Sequence, residues 1–167
     1  PFIASPGTHC LAFFSQEKII GINMWNTGVI SDTIENAKIL CLWLNSSLSL
    51  LQLFGVGIAA EGNWTKIDEY MLSQLYIPNL KSLKDSEKKK LLDLFEEVKN
   101  KDWDSIFEQF RKRDKDREKI DKTFLEILGF SGNEIDKILD RIYKIILGEL
   151  QCLSQTTEIK EADEDEF

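Results

Sequence analysis

Leu42-Trp43-Leu44-Asn45-Ser46-Ser47-Leu48-Ser49-Leu50-Leu51-Gln52-Leu53-Phe54 opens the stretch around which this chain is organised. Gly55-Val56-Gly57-Ile58-Ala59-Ala60-Glu61-Gly62-Asn63-Trp64-Thr65-Lys66 follows, and Tyr70-Met71-Leu72-Ser73-Gln74-Leu75-Tyr76-Ile77-Pro78 closes it. It reads as a buried helix, a glycine-rich extended segment, a short helix and an edge strand. The helix is expected to start at Asp32, with Glu35 completing a capping-box-like pair, and to run over 32–54. Ile34, Ala37, Cys41, Leu44, Leu48 and Leu51 form one stripe, and Leu40, Trp43, Leu50 and Leu53 spread apolarity around the second half. Such a helix is buried on nearly all sides. Asn45, Ser46 and Ser47 interrupt it, either lining a close helix–sheet contact or pointing toward a ligand surface.

Before this helix, 9–15 and 19–25 are short apolar runs rich in β-branched and aromatic residues, separated by Gln16-Glu17-Lys18. They predict a β-hairpin. After Leu83 the chain is charged and helical, with apolar residues at helical spacing in 85–99, 104–110 and 117–128 and in a last helix opened by Ser131-Gly132-Asn133-Glu134. The expected fold is α+β. A small β-hairpin or partial sheet packs on a buried helix over 1–80, an amphipathic helical bundle or hairpin spans 81–157, and 158–167 is a disordered acidic tail.

The net charge of −8 is unevenly placed. Residues 1–80 carry 3 Lys against 6 acids, 81–157 carry 17 of each sign, and 158–167 carry 1 Lys against 6 acids, or −3, 0 and −5. The tail therefore holds most of the acidity, and the near-neutral body neither supports nor excludes a nucleic-acid partner. Cys10, Cys41 and Cys152 lack any metal or disulfide spacing and read as reduced thiols of a cytoplasmic protein. Asn45-Ser46-Ser47 and Asn63-Trp64-Thr65 fit the glycosylation sequon, which we read as chance. The longest apolar run is broken by Ser49, Gln52, Gly55 and Gly57, so neither a membrane span nor a signal peptide is expected. The start at Pro1 without methionine suggests a piece of a longer polypeptide.

No complete active site is expected. His9 is the only histidine and would alternate faces with Cys10 on a strand. The carboxylates sit on exposed helix faces, and no metal-ligand spacing occurs. Gly55, Gly57 and Gly62 fit neither the dinucleotide fingerprint nor the P-loop, so the segment reads as a turn. Its tip nonetheless places an amide, an indole, a hydroxyl and an ammonium at Asn63, Trp64, Thr65 and Lys66. These groups read base edges and hold phosphates. The run Arg111-Lys112-Arg113-Asp114-Lys115-Asp116-Arg117-Glu118-Lys119 is either a phosphate-contacting patch or a solvated face whose charges pair locally.

With Leu44-Asn45-Ser46-Ser47, Glu61-Gly62-Asn63-Trp64, 67–72 and Leu75-Tyr76-Ile77-Pro78 in view, 42–78 resembles the C-terminal target-recognition (specificity) domain of adenine-N6 DNA methyltransferases. Fused, type IIG-like restriction-modification enzymes are included in that family, and type I specificity subunits are similar in the latter part. Arg117-Glu118-Lys119-Ile120-Asp121, with Phe124-Leu125 and Leu128-Gly129, resembles the helical tail that follows the domain in fused enzymes. The resemblance implies sequence-specific recognition of double-stranded DNA by a non-catalytic domain. The Asn-Pro-Pro-Tyr-type motif and the Gly-rich S-adenosylmethionine site, absent from this sequence, would belong to a missing N-terminal catalytic domain or subunit. The expected DNA contacts are Asn63, Thr65 and Lys66, with Trp64 packing or stacking. Asn23 and Asn26 at the hairpin end, and Arg111, Lys112 and Arg113, are further candidates. The alternative is a non-enzymatic helical protein–protein interaction module.

Overall fold

The computed structural model describes residues 8–17, 33–56, 58–60, 64–66 and 69–164. The single helix expected over 32–54 is two: α1 (Ile34–Leu44) and α2 (Ser47–Val56), bent by 65° where Asn45 and Ser46 intervene. α1 begins at Thr33, whose hydroxyl accepts the Asn36 N–H at 3.2 Å, and Glu35 in its first turn suits the positive end of the helix dipole. The expected cap, Asp32, lies outside the described residues. Asn45 N–H donates back to the Cys41 and Leu42 carbonyls, ending α1. Ser46 then caps α2, its hydroxyl accepting the Ser49 N–H at 3.2 Å while donating to the Trp43 carbonyl at 2.6 Å. Serine hydroxyls that compete for main-chain groups in this way end one helix and start the next.

The chain continues through a short antiparallel ribbon, β1 (Ile58–Ala60) and β2 (Trp64–Lys66), the one-turn helix α3 (Glu69–Ser73) and a 3-10 turn (Leu80–Ser82). Four helices follow: α4 (Asp85–Val98), α5 (Ile106–Arg111), α6 (Lys115–Ile127) and α7 (Asn133–Glu164). Their starts are locally encoded. Glu87 reaches back to accept the Lys84 N–H at 2.8 Å, Ser105 accepts the Glu108 N–H at 3.3 Å, and Asp114 accepts from Asp116 and Arg117. α6 ends at Gly129, whose φ of +97° suits the left-handed position. There Phe130 N–H donates to the Leu125 carbonyl and Gly129 N–H to the Glu126 carbonyl, the two bonds of a Schellman motif.

The 65° bend lets one apolar stretch serve two cores. Ile39, Leu42 and Trp43 of α1 pack with Leu91, Leu94, Phe95 and Val98 of α4 and with Ile120 and Phe124 of α6. The Trp43 and Phe124 rings meet edge to face at 5.0 Å. Leu50 and Leu53 of α2 pack instead with Ile106 and Phe110 of α5, Leu125 of α6, and Ile135, Leu139, Ile142, Tyr143, Ile146 and Leu150 of α7. An unbroken helix over the same span would be a rod of about 34 Å that could not enter both grooves. Each fully buried Ile or Leu here stabilises the fold by about 1.5–3 kcal/mol. Both cores draw on residues before and after position 80, and α7 runs on to Glu164 in the acidic stretch.

The expected α+β class is overturned, because the described chain is helical. Residues 9–15, expected as the first hairpin strand, form no strand, and 19–25 lies outside the described residues. Residues 75–77, expected as an edge strand, have no strand partner among the described residues. The only β structure among those residues is the ribbon β1–β2, with Ile58 opposite Lys66 and Ala60 opposite Trp64, far too small to form a layer. The physical reason is that the helical body itself satisfies the strand-like N-terminal run. Asn45 Oδ1 accepts from the Leu11 and Ala12 N–H groups at 2.8 and 3.1 Å, and its Nδ2 donates to the Ala12 carbonyl at 2.8 Å. Ile106 N–H donates to the Thr8 carbonyl at 2.7 Å, and Gln109 Nε2 to that of His9 at 2.7 Å. Residues 8–14 are a strap laid across helices. Among the described residues no single helix is long and apolar enough to cross a membrane; α1 and α2 reach that length only as a bent pair.

Candidate functional site

The expected contact residues fall on two different elements. Trp64, Thr65 and Lys66 form β2, paired to β1, and the ribbon leaves α2 one residue after Val56. Asn63, Asn23 and Asn26 lie outside the described residues. The return leg of this excursion is fixed to the helices. Gln52 of α2 accepts the Tyr76 N–H at 2.8 Å and donates to the Tyr76 carbonyl at 3.2 Å, and Trp43 Nε1 donates to the same carbonyl at 3.1 Å. The chain that leaves α2 at Val56 is therefore tied back to α2 at Tyr76. The Tyr70 and Tyr76 side chains on this excursion are 71% and 83% exposed, so this end of the molecule presents aromatic surface.

Arg111, Lys112 and Arg113 sit at the end of α5 and in the turn before α6, and each holds a carboxylate. Arg111 makes a two-pronged pair with Glu108 at 2.8 and 2.6 Å. Lys112 meets Asp104 at 3.0 Å, and Arg113 meets Glu118 at 2.9 Å and Asp140 at 2.6 Å. These carboxylate hydrogen bonds hold all three cations above their ordinary pKa values. Arg113 also occupies a left-handed position, φ +53°, and closes α5 by donating its N–H to the Phe110 carbonyl. Its main chain shapes the turn while its side chain ties α5, α6 and α7.

The feature with the most buried polarity is one the sequence reading passed over. Arg117 and Asp121, one turn apart on α6, are 3% and 0% exposed. Arg117 donates through Nε to Gln109 Oε1 at 2.7 Å and through Nη1 to the Asn45 carbonyl at 2.9 Å, with its guanidinium over the Phe110 ring at 5.0 Å. Asp121 accepts the Ser47 N–H at 2.7 Å, the Ser47 hydroxyl at 2.5 Å and the Tyr143 hydroxyl at 2.7 Å. Burial pushes the Asp121 carboxyl up, while the nearby Arg117 charge and its three donors pull it down. Burial and the Asp121 charge push the Tyr143 hydroxyl up as well. Only one signal could have found this pair. A break inside an apolar helix leaves main-chain groups that must find partners elsewhere.

A cavity of about 430 Å³ lies between the strap, α1 and α4, walled by Phe14, Phe95, Trp103, Cys10 and Cys41. Its cations are already engaged: Lys38 pairs with Glu96 at 2.5 Å, Lys99 also pairs with Glu96, and Lys101 meets Asp114 and Asp116 at 2.7 and 2.5 Å. Burial raises Cys10 and pushes Cys41 up to about 11, so neither thiol is an activated nucleophile. Among the described residues no group of three or more His, Cys, Asp and Glu is placed to hold a metal ion. No protein family, curated protein or solved structure matches the chain.

Proposed function

We propose that this chain is a DNA target-recognition module, the C-terminal part of a cytoplasmic adenine-N6 DNA methyltransferase of a restriction-modification system. The observation that carries the reading is that the two separate motifs of the resemblance meet. Arg117 and Asp121, from Arg117-Glu118-Lys119-Ile120-Asp121, bond the main chain of Leu44-Asn45-Ser46-Ser47 across more than 70 residues. In this reading α1, α2 and the helical half are the scaffold, and Asn63, Thr65 and Lys66 are the residues that contact the duplex, with Trp64 packing or stacking. S-adenosylmethionine and the methyl-transfer chemistry belong to a separate catalytic domain, which extrudes the adenine.

The test is duplex binding by the full-length protein carrying this chain, measured by fluorescence anisotropy at rising salt. Affinity should fall steeply with salt. Asn63→Ala and Lys66→Ala should weaken it, and Asn63→Ala should also relax site preference. Unchanged affinity and site preference in both variants would refute the assignment. One observation favours the competing interaction-module reading: Arg111, Lys112 and Arg113 are neutralised by pairing within the helical half. That reading predicts no salt-dependent DNA binding at all.

A further inference from the structure

The cavity enclosed by the strap, α1 and α4 measures about 430 Å³, within the range of small-molecule sites. Its walls are largely aromatic. Phe14 of the strap meets Phe95 of α4 edge to face at 6.1 Å, and Trp103 lines the same space. Faces of this kind hold a flat ring by stacking and edge contacts. Cys10 and Cys41 complete the lining, and because burial raises both thiols, Cys41 to about 11, they stay neutral and put no negative charge in the way of an anion.

The polar groups of the lining donate more than they accept. Lys38 and Lys99 share the single Glu96 carboxylate, whose pKa their hydrogen bonds pull down to about 2, so two positive charges stand against one negative charge. Lys101 differs, being balanced by Asp114 and Asp116 while it lies over the Trp103 ring at 4.4 Å. The most buried of these cations is Arg117. It lines the cavity at 3% exposure, and its charge reaches Cys10, where it opposes the effect of burial. Its Nε and Nη1 are spent on Gln109 and the Asn45 carbonyl, and Nη2 has no hydrogen-bond partner among the described residues. Asp121, one turn on, gives its oxygens to Ser47 and Tyr143 rather than to the guanidinium. A buried guanidinium with an unspent N–H calls for an acceptor from outside the fold.

We propose that this cavity binds a small planar aromatic carboxylate, its ring against Phe14, Phe95 and Trp103 and its carboxylate on the Arg117 guanidinium, with Lys38 and Lys99 supplying the unbalanced positive charge. The charge count selects a monoanion: Lys38 and Lys99 exceed Glu96 by one charge, Lys101 faces two carboxylates, and the Arg117 field is shared with Asp121. A phosphate dianion would bring more negative charge than the lining balances. The site stands apart from the DNA reading, since none of its residues is among the DNA contacts named above.

Isothermal titration calorimetry of naphthoate, and of its neutral counterpart naphthamide, into the full-length protein tests the assignment. Naphthoate should bind saturably at one site per chain, and naphthamide about tenfold or more weakly, the loss expected for a charge-assisted hydrogen bond. Lys99→Gln changes a partly exposed side chain and should weaken naphthoate about threefold while leaving naphthamide unchanged. Trp103→Ala should weaken both ligands. Arg117→Lys keeps the charge but removes the planar fork, and should weaken naphthoate alone. Should that variant fail to fold, Lys99→Gln and Trp103→Ala still decide. Absence of saturable binding, equal affinity for the two ligands, or an unchanged naphthoate affinity in either Lys99→Gln or Trp103→Ala would overturn the proposal.

Discussion

A double-mutant cycle on Arg117 and Asp121 gives the most direct test of how the two cores are joined. The side chains are 3% and 0% exposed, and each spends its hydrogen bonds on the main chain or side chains of other elements. Arg117→Met strips donors from the Asn45 carbonyl and Gln109 and removes the cation whose field pulls the Asp121 pKa down. Asp121→Leu strips the acceptor from the Ser47 N–H, the Ser47 hydroxyl and the Tyr143 hydroxyl, and leaves the Arg117 charge buried. Arg117 and Asp121 make no direct ion pair, but each sits in the other's field, so removing either costs its own hydrogen bonds and leaves the other charge buried without that field, a loss of about 3 kcal/mol or more. The double variant leaves no charge behind, only orphaned neutral groups at about 1–3 kcal/mol each. Its cost should therefore fall short of the sum of the single losses by about 2 kcal/mol. Against a domain stability of about 5–15 kcal/mol the single variants remain measurable. Urea unfolding followed by far-UV circular dichroism reads all four corners of the cycle. Single losses that add to within about 0.5 kcal/mol would refute the reasoning, because independent sites add and a shared clasp does not.

Other expectations concern the same elements. Because burial raises the folded-state pKa of Asp121, its contribution is greatest below the ordinary carboxylate range of about 4 and is lost as pH rises through the folded value. Asp121→Asn should then gain stability relative to wild type as pH rises from about 4, and a urea-midpoint difference that stays flat or moves the other way would contradict this. Asn45→Ala removes the amide that holds Leu11 and Ala12, so those two amides should exchange faster with solvent while the centre of α4 stays protected. Equal rates in variant and wild type would show the strap is held by other contacts. Gly129→Ala meets nothing within 4 Å but places a side chain at φ +97°, so it should cost about 1–2 kcal/mol through the backbone alone, with a lowered urea midpoint and an unchanged m-value.

The helices after Leu83 were legible because their information is local. Leu91 and Phe95 in α4, Ile120 and Phe124 in α6, and Ile135, Leu139, Ile142 and Ile146 in α7 recur at helical spacing, and all are buried. Asp114 caps α6, and Gly129 ends it, by signals within a few residues. The first half was misread where the deciding partner is remote. An apolar run such as 9–15 has the same composition whether it joins a sheet or lies as a strap. The choice fell to Asn45 and Gln109, which are distant in sequence and supply the hydrogen bonds a neighbouring strand would have supplied. The bend at Asn45 was hidden for a related reason: Asn45, Ser46 and Ser47 were legible as an interruption, but apolarity spread around the second half gives no phase to show that the chain turns there onto a second core.

The charge run 111–119 shows the limit from the other side. Composition offered two readings for the whole run, yet its members do different work. Arg111 and Lys112 are surface pairs, Arg113 shapes a turn, and Arg117 is buried and load-carrying for the helix break. Charge type says nothing of burial; the unsatisfied carbonyl and amide at Asn45 and Ser47 do, because a buried break demands partners and only residues able to donate and accept at one helical turn can supply both. This also changes what the resemblance means. Its most recognisable elements, the Asn-Ser-Ser break and the Arg-x-x-x-Asp turn, are the two halves of one structural clasp.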